Sequence, residues 1–303
     1  MELSGETPPA KPPTKPAAVP PIASVTPYSD QFHQLLFQLG QVGNKLREIG
    51  AVYGKAGNIS VSLTEKHIKG LDFDEGEDWF QMPVDYPKLG RRAFLVTAAG
   101  SRLWYLDQDP ENNLCVVWIK EGGQEYRVVW GAERGLKPTS EFNSHLRIFE
   151  ILKELNRPTK VVMHAQPLHL TMMSHCEELQ DKKAFNSALL RWQPETIITM
   201  PNGVGFVPYR LPGSQHQEAS TGKAFMEHDF VVWAKHGAIC TGQDPFDAFD
   251  KIDYLEMSAR YYLLSRQIGF KADGISDEQM LEIAKTHADG SKLLEGWIGD
   301  HGE

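Results

Sequence analysis

Cysteine is scarce in this chain. Its 303 residues hold three, Cys115, Cys176 and Cys240, odd in number and widely spaced, with no C-x-x-C pair. That argues against a disulfide framework and a cysteine-built zinc site, and it favours a reduced, cytoplasmic setting. Long apolar runs are also missing. None approaches the ~18 residues of a membrane span, and the N-terminus carries no apolar signal-peptide core. Positive charge is in deficit, 31 Lys and Arg against 40 Asp and Glu, for a net charge of −9. Neither nucleic acid nor an anionic membrane is expected as the main partner of such a chain. A small anion needs only a local cluster of donors, so it stays open.

Proline is concentrated at one end. Eight of the 19 prolines fall in residues 1–27, among few large apolar residues. This stretch reads as a disordered or polyproline-like tail, either inert or a docking peptide. Residues 28–303 read as one continuous domain of ordinary globular composition, the whole chain being 41% hydrophobic and 23% charged.

Apolar residues at Phe32, Leu35, Leu36, Leu39, Val42, Leu46 and Ile49 predict an amphipathic helix over 29–50, capped by Ser29 or Asp30. A glycine-rich turn follows at 54–58. Residues 59–63 and 93–97 read as strands, and 114–119 with 125–130 as a hairpin around Glu121-Gly122-Gly123. Pro138-Thr139-Ser140-Glu141 opens a helix running to about Leu155, with Ser140 as its cap. A strand over 160–164 comes next. Residues 196–200 and 203–207 bracket a Pro-Asn-Gly turn. A helix near 215–227 precedes a strand over 230–234, which runs into Lys235-His236-Gly237. Helices over about 244–267 and 277–286 complete the pattern. Strands and helices mixed irregularly in this way indicate a mixed α/β domain.

Chemistry concentrates at three element boundaries. His164 ends a strand, and Gln166 lies two residues on, the spacing that puts two side chains on one strand face. His236 ends another strand and precedes a glycine, which lets a second group approach closely. Glu141 opens a helix. Any one of the eleven histidines is by itself more readily a structural residue. Two at strand ends beside a helix-opening carboxylate suggest a metal site.

The stretches Ala56-Gly57-Asn58-Ile59-Ser60, Leu95-Val96-Thr97 with Gly100, and Trp130-Gly131 with Pro138-Thr139-Ser140-Glu141 occur in a telling order. They continue through Val162-Met163-His164, Pro201-Asn202-Gly203-Val204-Gly205, and Trp233 with His236-Gly237. Together, over about residues 30–285, the chain resembles the class II aldolase/adducin family, and most of all its rhamnulose-1-phosphate aldolases. The resemblance implies a three-layer α/β/α sandwich with a largely antiparallel central sheet, assembled as a homotetramer with sites at subunit interfaces. It implies a divalent metal, zinc first and Mn²⁺ or Mg²⁺ as alternatives, at the positions of His164, Gln166 and His236. Glu141 matches the family carboxylate that moves protons near the metal. Glu195 aligns with a second acid/base group that reaches across the interface.

The reaction so implied is cleavage of a phosphorylated ketose to dihydroxyacetone phosphate and an aldehyde. Breaking a C–C bond beside a ketone leaves an enediolate whose charge a metal can offset, and a carboxylate must take a hydroxyl proton. The phosphate is expected near Lys55, Gly57, Asn58, Thr97, Gly100 and Ser140, where turn N–H groups and a helix start suit an anion. Three positions depart from the family: Gln166 replaces a histidine, Lys55 an asparagine and Ala99 a serine. An amide oxygen is a weaker zinc ligand than imidazole. His169, nearby, is expected to fall within the next helical turn and point elsewhere. Two other readings stand beside the aldolase: another metal lyase or epimerase of the family, and a non-catalytic scaffold with the proline tail as partner contact.

Overall fold

The structure, a computed structural model, describes residues 29–69, 73, 78–131, 135, 137–157 and 159–287. The proline-rich tail, 1–27, lies outside them. One sheet of nine strands organises the described residues, in the order β2-β5-β4-β3-β1-β6-β9-β8-β7. Its strands are β1 (Asn58–Ser62), β2 (Phe80–Gln81), β3 (Ala93–Thr97), β4 (Leu114–Ile119), β5 (Glu125–Gly131), β6 (Val161–Ala165), β7 (Gly205–Val207), β8 (Phe230–Trp233) and β9 (Gly237–Gly242). All neighbours are antiparallel except β7 with β8.

Ten α-helices accompany it: α1 (Asp30–Glu48), α2 (Glu65–Ile68), α3 (Pro110–Asn113), α4 (Phe142–Glu154), α5 (Leu168–Met173), α6 (Lys182–Leu189), α7 (Pro194–Thr199), α8 (Gln215–Phe225), α9 (Pro245–Ser265) and α10 (Asp277–His287). Alternation along the strands divides the core. Ile59, Val61, Leu95, Val161 and Met163 face α1, α5, α6, α7, α9 and α10. Phe94, Val96, Val162 and Ile239 face α4 and α8. The expected α/β/α sandwich is therefore present, and β3 is apolar on both faces because both are covered.

Local chemistry sets the element ends. Ser29 caps α1 by accepting from the Phe32 N–H. Asp244 caps α9 by accepting from Phe246 and Asp247, with Pro245 in the first turn where its missing N–H costs nothing. Ser140 does not cap α4: the cap position is Glu141, and no side-chain bond closes it. Ser140 sits one residue too early, in the turn leading in.

The β-branched run 196–200 belongs to no strand. Residues Pro194–Thr199 form α7, with Pro194 at its start and the Thr196 hydroxyl donating to the Leu190 and Gln193 carbonyls. Thr196 and Ile197 bury against the helical layer, and that packing overrides strand propensity. Helix α6 and strand β9 were not expected from the sequence, whereas α5 is the helical turn expected at His169. Among the described residues no helix is long and apolar enough to cross a membrane.

Candidate metal centre

Antiparallel pairing gathers the chemistry at one end of the sheet. β1 starts at Asn58 opposite His164, one residue before β6 ends. β9 starts beside the same point, with Ala165 opposite Ala238. A bridge between Ala98 and Pro138 draws in the chain that leads to Glu141. His236 arrives on the three-residue turn between β8 and β9, where Lys235 takes a left-handed φ of 63° and donates its N–H to the Ser174 hydroxyl. Strained backbone of this kind persists only where its surroundings hold it.

Two glycines make room. At Gly57 (φ 84°) a Cβ would lie 2.9 Å from Val52 Cγ1 and 3.1 Å from the His164 carbonyl oxygen. At Gly237 it would lie 2.4 Å from the Ala165 carbonyl oxygen and 3.1 Å from the His164 ring.

Glu141, His164 and His236 converge so that their donor atoms lie within 4.8 Å of one another. His164 Nε2 is 3.5 Å from Glu141 Oε2, and His236 Nε2 is 3.5 Å from Glu141 Oε1. Those separations exceed an N–H···O hydrogen bond. They match donors sharing one ion, since two atoms each about 2.1 Å from a tetrahedral centre stand about 3.4 Å apart. The buried Glu141 Oε1 and His236 Nδ1 have no hydrogen-bond partner among the described residues. His164 Nδ1 lies 2.8 Å from the Ala238 carbonyl, so it carries the hydrogen and leaves Nε2 bare. Unpartnered oxygen, bare imidazole nitrogen and ion-like spacing fit a divalent cation.

The electrostatics agree. Burial, reinforced by His164, lowers His236 to about 4 against the pull of Glu141, which keeps the imidazole neutral. Burial works to raise the Glu141 carboxyl. The His164 and His236 rings and the Asn58 N–H outweigh it and hold the carboxyl below its ordinary value. Trp233 forms one wall, stacked on His236 at 5.2 Å and tilted against His164 at 4.8 Å.

A cleft of about 230 Å³ opens beside these groups, lined in part by Lys55, Gly57, Asn58, Gly100, Ser140 and Gln166. Gln166 and His164 thus open on one space, as their spacing implied. A Cβ at Gly100 would be 3.5 Å from Lys55 Nζ, so the ammonium stands at that turn. Two expected residues are otherwise engaged. The Thr97 hydroxyl is spent on the Ile59 backbone, at 3.1 Å from its N–H, and does not open on the cleft. The Asn58 side chain donates to Glu141 Oε2 at 2.8 Å instead of facing the turns.

Glu195 is exposed in the first turn of α7 and does not meet Glu141 within the chain. His169 binds the buried Glu256 at 2.6 Å and points away. Sequence reasoning missed Ser60 and His145. Polar residues at alternate positions of β1, and the four-residue spacing from Glu141 to His145, were the signals that could have found them.

Fold and site define a class: α/β/α proteins that gather imidazoles and a carboxylate at one end of an antiparallel sheet, beside an anion-sized cleft. Residues 38–263 match the Class II Aldolase and Adducin N-terminal domain, and the chain belongs to that family. It is similar to the rhamnulose-1-phosphate aldolase of Bacteroides thetaiotaomicron, at 32% identity over 82% of this chain and 91% of that protein. The protein of the same name from Listeria monocytogenes is 29% identical over the same shares. Among solved structures, a sugar-phosphate aldolase from Thermotoga maritima superposes with a TM-score of 0.70 at 29% identity, covering 80% of this chain and 100% of that one. An L-fuculose 1-phosphate aldolase, at 21% identity and a TM-score of 0.55, shares the fold over 84% of this chain and 95% of its own.

Proposed function

We propose that the protein is a metal-dependent aldolase that cleaves a phosphorylated ketose of the rhamnulose 1-phosphate kind to dihydroxyacetone phosphate and an aldehyde. The observation that carries this reading is the unpartnered Glu141 Oε1 set between the His164 and His236 imidazoles, at the mouth of a cleft holding Lys55 and the Gly57 and Gly100 turns. The names of the similar proteins support the substrate class.

His164 and His236 would hold the cation, zinc in the first place, with Glu141 and the Gln166 amide oxygen beside them. When bound, it supplies the positive charge that a ketone needs as the neighbouring C–C bond opens. Lys55, the turn N–H groups and Ser140 bind the phosphate. In cleavage a hydroxyl proton leaves, the bonding pair moves toward the ketone, and the carbon left behind gains a proton. Glu141 carries one of those protons at Oε1. Glu195 of a neighbouring copy carries the other, which suits its exposed place on α7.

Self-association as a homotetramer accords with an exposed apolar face made by Leu168 and Met172 of α5 with Met257, Tyr261 and Leu264 of α9. Cytoplasmic sugar catabolism is the matching setting.

The test is a panel of ketose 1-phosphates presented to metal-loaded protein, with dihydroxyacetone phosphate read by a coupled reductase. Cleavage of one member, lost on chelation, is expected. No cleavage of any member by protein shown to carry stoichiometric metal refutes the proposal.

A further inference from the structure

Behind Glu141 runs a second line of buried polar groups. β1 is covered on both faces, yet it turns Asn58 and Ser60 toward α4, where His145 is fully buried one helical turn after Glu141. Asn58 Nδ2 donates to Glu141 Oε2 at 2.8 Å. Asn58 Oδ1 is 2.6 Å from His145 Nε2, and His145 Nδ1 is 2.6 Å from the Ser60 hydroxyl.

The direction of every bond follows from one end. A carboxylate oxygen only accepts, so the Asn58 amide must turn its N–H to Glu141 and its oxygen to His145. That oxygen also only accepts, so His145 Nε2 carries the hydrogen. Neutral imidazole then has a bare Nδ1, which accepts from Ser60. Burial keeps His145 neutral by lowering it to about 3, with His164 adding to the effect and Glu141 opposing it. Reversing any member sets two lone pairs against each other inside a dry layer, where an unmet polar group is costly.

We propose that His145 is a positioning residue: with Ser60 it holds the Asn58 amide in one orientation, which ties down Glu141 Oε2 and leaves Oε1 as the oxygen offered to the cation and substrate. The proposal rests on the role given to Glu141 under the proposed function. It reaches further by assigning the reactive oxygen and the residues that select it.

The test uses the full chain and two amide replacements of similar polarity. In His145→Gln the side-chain N–H falls near the place of Nε2, whereas in His145→Asn it falls near Nδ1. Titration calorimetry with Zn²⁺ and Mn²⁺, without substrate, should show the Asn variant weakened about 10–100-fold and the Gln variant close to wild type. kcat should follow the same order with KM little changed. Histidine-selective ¹⁵N NMR of the metal-free wild type should show His145 with its hydrogen on Nε2.

Equal metal affinities for the two variants, or a hydrogen on Nδ1, overturn the proposal. The two readings fail separately. A protein that binds metal, separates Asn from Gln and shows the Nε2 hydrogen, yet cleaves no ketose phosphate, keeps the relay and loses the aldolase. A cleaving enzyme whose two variants match loses the relay and keeps the aldolase.

Discussion

The same buried histidine makes the protein sensitive to acid by a calculable amount. His145 has an ordinary value of 6.5 and is pushed to about 3 in the fold, chiefly by burial. Its folded value lies below its unfolded one, so the unfolded chain binds the proton more readily. Stability therefore falls as pH drops through 6.5 and goes on falling until about 3. At 6.5 the slope is half its full value of about 1.4 kcal/mol per unit and it approaches that value below 5.5, so by pH 4.5 this one side chain removes about 2–3 kcal/mol. Against a total of about 5–15 kcal/mol for a typical domain, that is readily measured. His236, lowered to about 4, adds a slope of the same sign, so the wild-type curve alone does not isolate His145. The comparison with His145→Gln does, because glutamine does not titrate. Urea unfolding of metal-free protein at pH 7.0, 5.5 and 4.5 should show the wild type losing about 2–3 kcal/mol more than the variant across the range. Parallel pH dependences for the two proteins would refute the reasoning.

Three further outcomes are expected. Glu141→Gln keeps the shape and removes the proton-carrying charge, so kcat in the coupled assay should fall about 10²–10⁴-fold. Gln166→His places an imidazole on the cleft beside His164 and His236, and calorimetry should show Zn²⁺ binding at least about tenfold tighter. Gly237→Ala drives a Cβ to 2.4 Å from the Ala165 carbonyl oxygen, while at Gly50, with a φ of 73°, a Cβ meets nothing within 4 Å. Thermal melts should show a loss of about 2–4 kcal/mol at Gly237, backbone strain and overpacking together, and only about 1–2 kcal/mol at Gly50, where strain acts alone.

Much of the fold was legible because its elements carry strong periodic or boundary signals. The 3–4 spacing from Phe32 to Ile49 gave α1, and alternation with glycine punctuation gave β1 and the β4–β5 hairpin. The misreadings share a cause. Helix α7 is written in β-branched residues, and β9 has a glycine at each end, so both depend on the layers they pack against. At the site, Glu141, His164 and His236 were recognisable as boundary residues. The engagement of Thr97 with β1 and of Asn58 with Glu141 was not, because hydroxyl and amide groups take whichever partner the neighbouring strand supplies.

The sequence by itself determined that His164, in β6, and Gln166, one residue past its end, turn to the same side, and that a glycine follows His236. Period and steric size decide such things locally. Only the tertiary structure decided that residues as distant as 58, 141, 145, 164 and 236 meet at one sheet end, and which oxygen of Glu141 stays unpartnered. Strand order and hydrogen-bond direction are relations between segments, and no single segment encodes them.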